Sequence, residues 1–125
     1  MIRKISALVA VAVIAISLNA SAHEMSKHAV STLSGEIVDT GCYLGHAARG
    51  ASHISCAGKC INGGMPMGLL TNQGALYLLT MNHDNPDPYN KLKEMAGKKV
   101  TVTGTLMTRG GVKGMDVASI KPMTK

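Results

Sequence analysis

Between Lys98 and Thr108 the chain reads KKVTVTGTLMT, and its pattern has a period of two. Val100, Val102, Gly104 and Leu106 fall on one side, with threonines and Met107 on the other. That period sends alternate side chains to opposite faces of a strand. One apolar and one hydroxyl-bearing face describe a half-buried antiparallel strand. Gly104 interrupts the apolar face and marks a bulge or sharp bend, the device by which a small sheet curls. Arg109-Gly110-Gly111 turns the chain, and Lys113 to Lys121 (KGMDVASIK) returns as a final strand.

The upstream segments supply the rest of a sheet. Ser34 to Thr40 (SGEIVDT) has a β-branched centre between glycines and reads as a first strand. Met67 to Leu70 and Ala75 to Met81 flank the turn signal Asn72-Gln73-Gly74, so they predict a hairpin. Asn82 to Asn90 leads into a short helix, with Asp87 as N-cap and Pro88 at the first helical position. Tyr89, Leu92 and Ala96 share one face of that helix, and Gly97 ends it. Five strands with a helix between the third and fourth follow the order of the OB-fold. The expectation is a mainly β, five-stranded, OB-fold-like Greek-key barrel over 34–122. It has a short helix between strands 3 and 4 and a Cys/His-bearing insertion between strands 1 and 2.

The N-terminus predicts export. Arg3 and Lys4 precede the uncharged run Ala7 to Leu18, and Ala20-Ser21-Ala22 offers the small-x-small pattern of a signal peptidase site. The run is shorter than the roughly 20 residues of a membrane span. Residues 1–22 therefore read as a signal peptide, and the expected location is periplasmic or secreted, with no stable membrane span after cleavage. Residues 23–33 read as a flexible leader whose His23, Met25 and His28 form only a loose ligand set. Cleavage leaves 11 basic against 7 acidic residues, a mild +4. With three tyrosines and no Phe or Trp to stack on bases, nucleic acid is not an expected partner. The nine methionines are read mainly as pliable core filler in an aromatic-poor chain.

Chemistry concentrates in Gly41 to Cys60, GCYLGHAARGASHISCAGKC, which holds all three cysteines, Cys42, Cys56 and Cys60, with His46 and His53. A helix over Ser52 to Ile61, capped by Ser52, places His53, Cys56 and Cys60 at i, i+3 and i+7 on one face. Cys42 closes the set from the mouth of the first strand, and His46 is the alternative imidazole. Three thiolates with an imidazole suit tetrahedral Zn(II), and two or three sulfurs suit Cu(I). The competing expectation for exported cysteines is one disulfide. A bridge from Cys42 is easier than Cys56–Cys60, whose Cβ atoms on a helix sit nearer about 6 Å than the roughly 3.8 Å a bridge wants. Thiol catalysis is disfavoured, because the spacing is not C-x2-C and no acid partner is evident. Met65 and Met67 are the methionines nearest this stretch. His83, in the loop NHDNPDP, reads as a solvated histidine.

The run of motifs from GEIVDTGCY through CAGKC, GMPMGLL and LYLL to AGKKVTVTG resembles small exported bacterial OB-fold proteins of uncharacterised role. The resemblance implies a fold and no activity. The C-x3-C spacing with a separate His also resembles the soft copper sites of exported copper-delivery proteins, which have a different fold. Small exported OB-fold copper carriers use Met and His, whereas this chain uses cysteines and lacks Trp. The functional expectation is a non-enzymatic periplasmic protein that binds Cu(I) or Zn(II) through Cys42, His46, His53, Cys56 and Cys60. Its role would be carriage, buffering or sensing, with another envelope protein as a further partner. The alternative is an envelope structural or interaction module with a single disulfide and no metal.

Overall fold

The computed structural model describes residues 29–123. The signal peptide and the His23, Met25 and His28 set lie outside these residues. Five strands are formed: β1 (Val30–Asp39), β2 (Met67–Thr71), β3 (Leu76–Met81), β4 (Lys99–Arg109) and β5 (Val112–Pro122). Three α-helices join them: α1 (Thr40–His46) and α2 (Ile54–Asn62) between β1 and β2, and α3 (Asp87–Leu92) between β3 and β4. The strands pair in the order β1–β2–β3–β5–β4, and β4 returns to β1, so the sheet closes on itself. Closure leaves no strand with an unpaired edge.

The expected mainly β class is corrected. The sheet is mixed: β3 and β5 run parallel, with Leu79 opposite Met115 and Met81 opposite Val117. Helices also occupy much of the chain between strands, so the domain is of mixed α/β class and not mainly β. The reason is connectivity. A hairpin can join only antiparallel neighbours, whereas parallel neighbours need a crossover. The passage from β3 through α3 and β4 returns β5 in the direction of β3. Strand alternation predicts that strands exist but does not say which of them become neighbours.

Boundaries shift as well. β1 starts at Val30, four residues before the predicted strand, because Val30 to Glu36 pair with Thr105 to Lys99 of β4. Four of the eleven residues of the predicted leader, 30–33, are thus strand. The predicted helix over 52–61 resolves into a 3-10 turn (Ala51–His53) followed by α2, and Ser52 does not cap it. In α3, Asp87 is the first helical residue rather than the cap.

The core collects the inward residues of all five strands: Ile37, Met67, Leu69, Leu79, Val100, Val102, Met115 and Val117. α2 contributes Ala57 and Ile61 to it, and Leu92 and Ala96 come from α3 and the segment after it. The two fully buried methionines, Met67 and Met115, fill space that aromatic rings take in other small domains. At Gly104 the β4–β5 register shifts, so that Thr103 faces Ser119 and Gly104 faces Val117. A side chain at 104 would strike the Asp116 carbonyl, so glycine permits both the bulge and the close approach. Val102 is wholly buried beside this bulge. Val102→Ala is expected to lower unfolding free energy by about 1–3 kcal/mol, the scale of a small core truncation. Urea titration checks it, with an unchanged transition midpoint placing Val102 outside the cooperative core.

The same packing holds the site. The Gly97 amide donates to the Ile37 carbonyl (2.7 Å) and the Ile37 amide to Lys98 (3.0 Å), which ties the α3 exit to β1. Ile54, at the start of α2, lies directly against Gly97. α2 therefore rests on the rim of the sheet beside the end of β1.

Candidate metal centre

The site begins where β1 ends. Asp39 is the last strand residue, fully buried, and faces Met67 across the sheet. Its side chain does two jobs. Oδ1 accepts the Cys42 amide at 2.7 Å, which makes Asp39 the N-cap of α1. Oδ2 lies 3.0 Å from Nε2 of His53. The Thr40 amide and hydroxyl both donate to the Pro66 carbonyl at 3.0 Å, pinning the start of α1 to the approach to β2.

α1 ends at Ala47, whose left-handed backbone (φ 55°) lets its amide reach Tyr43. The chain then passes Gly50, whose amide is held by the Glu36 carboxylate, and enters the 3-10 turn that delivers His53. α2 follows. Its inner face, Ala57 and Ile61, is buried in the core, while Cys56 is exposed and Cys60 partly buried.

These elements bring together two overlapping groups. Ligand atoms of Cys42, His53 and Cys56 lie within 4.8 Å of one another, and so do those of Asp39, Cys42 and Cys60. Cys42 belongs to both. Of the five residues expected to bind metal, Cys42, His53, Cys56 and Cys60 therefore converge. His46 does not: it sits exposed at the last turn of α1 and belongs to neither group. Met67 is buried in the core, whereas Met65 is partly exposed beside the start of α1. His83 is exposed in the loop after β3, where Asn82 caps the turn through the amides of Asp84 and Asn85. The three cysteines are free thiols in this structure, so the single bridge of the alternative expectation is not formed.

Asp39 is the member that sequence reasoning missed. The signal was present in Asp39-Thr40-Gly41-Cys42: an acidic residue three before a cysteine at a strand-to-helix junction is an N-cap pattern. It was hidden because Asp39 also completes the strand run SGEIVDT.

The electrostatics follow from this contact set. Burial pushes the Asp39 carboxyl up, but the Cys42 amide and His53 outweigh it and hold the group below its ordinary value. The carboxylate in turn acts on Cys42. Its hydrogen bond, then burial, then its charge, push the Cys42 thiol up to about 12. Burial also raises Cys60, with the neighbouring Cys42 thiol opposing and Cys56 reinforcing the rise. Without metal, Cys42 and Cys60 hold their protons at neutral pH.

This arrangement is suited to gripping an ion. Thiolate sulfur and imidazole nitrogen are the soft and borderline donors that Cu(I) and Zn(II) take. An imidazole held through one nitrogen by a buried carboxylate is the usual outer-shell support of a metal-binding histidine. The ionised Asp39 favours the proton on Nε2, leaving the lone pair on Nδ1. A cavity of about 750 Å³ lies elsewhere, between Glu36, Met95, Val100 and Met123. No cysteine or histidine lines it. Cys56 is exposed and Cys42, His53 and Cys60 are half-buried, so the convergent ligands are within reach of solvent.

No family model, no curated protein and no solved structure matches this chain. The resemblance to small exported OB-fold proteins is therefore withdrawn, since no comparison supports it.

Proposed function

We propose that this protein binds a soft metal ion, Cu(I) or Zn(II), outside the cytoplasm, and serves in carriage, buffering or sensing without catalysing a reaction. One observation carries the reading: Cys42, His53 and Cys56 converge within 4.8 Å, and the Asp39 carboxylate lies 3.0 Å from the imidazole. A structural staple would need two of the thiols; it would need neither the histidine nor the carboxylate. The non-enzymatic role rests on Cys42, whose thiol is pushed up to about 12 and is no ready nucleophile at neutral pH, although Asp39 gives His53 the acid partner that was not evident in the sequence. Location rests on the N-terminal pattern of basic residues, apolar run and Ala20-Ser21-Ala22. Among the described residues, no helix is long and apolar enough to cross a membrane.

The test is thiol counting under metal. Reduced protein supplied anaerobically with Cu(I) or Zn(II) is expected to bind the ion and to lose alkylation at Cys42, Cys56 and Cys60 together. His83→Ala leaves binding unchanged. Protein that takes up neither ion after reduction, while forming a stable bridge from Cys42 in air, sinks the metal reading. Intact mass of the exported protein checks location, with His23 expected as the first residue.

A further inference from the structure

The two ligand groups leave a question of ion identity. Each brings three Cys, His or Asp side chains to one point, and no fourth such residue joins either set among the described residues. Structural zinc takes four protein ligands, whereas Cu(I) is satisfied by few, soft donors and accepts thioether sulfur. One thioether is at hand. The Met65 amide donates to the Cys60 carbonyl at 2.9 Å, so its backbone is fixed to the end of α2 that carries Cys60. Its side chain reaches back across the first turn of α1. A Cβ placed on Gly41 would stand 2.8 Å from Met65 Sδ and 2.6 Å from its Cε. Gly41 is the residue before Cys42. Met65 thus bridges from Cys60 to the neighbour of Cys42, the two thiols that share one ligand group. It is 37% exposed although apolar, whereas Met67, two residues on, is wholly buried. Core packing accounts for Met67 and does not account for Met65.

We propose that the Met65 thioether is an additional ligand beside Cys42 and Cys60, and that monovalent copper is the ion this site is built to take. The proposal rests on the metal reading above and adds the identity of the ion. A thioether is a neutral, soft donor that contributes to Cu(I) binding and little to Zn(II). Gly41 has a defined part in it: the missing side chain is the space in which the sulfur lies.

Competition against a chromogenic Cu(I) chelator, and separately against a Zn(II) indicator, tests it on reduced full-length mature protein. Met65→Leu keeps volume and apolarity, so the apoprotein is expected to unfold as wild type does. It is expected to weaken Cu(I) binding about tenfold, the low end for losing a supporting group at a metal site, and to leave Zn(II) binding unchanged. Gly41→Ala, which displaces only the flexible end of Met65, is expected to reproduce that loss. Wild-type binding of Cu(I) with no effect of either variant overturns the Met65 assignment while the metal reading stands. Equal weakening of both ions overturns the copper selectivity. Failure of wild-type protein to bind either ion overturns both this inference and the reading beneath it.

Discussion

Cys42→Ser is expected to cost more metal affinity than any other single change in the chain. The other thiols each serve one ligand group; Cys42 serves both. Removing its sulfur dismantles the Cys42–His53–Cys56 set and the Asp39–Cys42–Cys60 set together, and a hydroxyl is a poor substitute for a soft metal. The loss should exceed the roughly 10–100-fold that follows removal of an outer-shell partner. Cys56→Ser and Cys60→Ser should each lose less, and His46→Ala nothing. Titration of each reduced variant with Zn(II) or Cu(I) decides the ranking. If Cys42→Ser binds as well as Cys60→Ser, the two groups do not share an ion.

The same residue sets the pH response. Its thiol is held up to about 12, so metal must displace a proton throughout the neutral range. Apparent affinity should climb with pH, by about tenfold per unit for each proton displaced.

Asp39→Ala is the substitution with the largest expected effect on the folded state outside the apolar core. The carboxylate is fully buried, caps α1 and meets His53. Loss of an N-cap costs about 0.5–2 kcal/mol, and loss of a charge-assisted hydrogen bond about 1.5–3 kcal/mol. Since the two share one side chain, their sum is an upper bound, and about 2–4 kcal/mol is expected in chemical unfolding. The pH dependence has a definite sign. The Asp39 carboxyl is depressed in the folded protein, so its contribution is present above the ordinary carboxylate pKa. It is lost as pH falls through the depressed value, and the alanine variant should lack this acid-side loss. Asp39→Asn isolates the effect on the thiol. With the charge gone, the coulombic contribution of Asp39 to the raised Cys42 pKa is removed, and the amide oxygen that remains is a weaker acceptor for the thiol proton. Cys42 should then alkylate faster at pH 8 than in wild type. An unchanged rate would mean that the charge of Asp39 does not hold the proton on Cys42.

The local elements were legible because they depend on neighbours in sequence. Alternation in KKVTVTG specifies a strand whatever it pairs with, and Val100 and Val102 are buried as their period requires. Asn72-Gln73-Gly74 specifies a turn, and β2 and β3 pair across it. The apolar stripe of Ala57 and Ile61 turns one face of α2 inward, which leaves Cys56 on the outer side. Clustering of the cysteines and histidines in twenty residues marked where chemistry would sit. Long-range pairing decided everything else. That β3 lies parallel to β5 depends on the path of the chain between them, which no local pattern encodes. That His53 rather than His46 joins the thiols depends on where α1 and α2 are anchored: α1 on Asp39 and Pro66, α2 against Gly97 and the core. Asp39 reads in sequence as one more strand residue. Only when β1 ends beneath both helices do its two oxygens meet a helix amide and an imidazole, because a buried carboxylate must find partners for the charge it keeps.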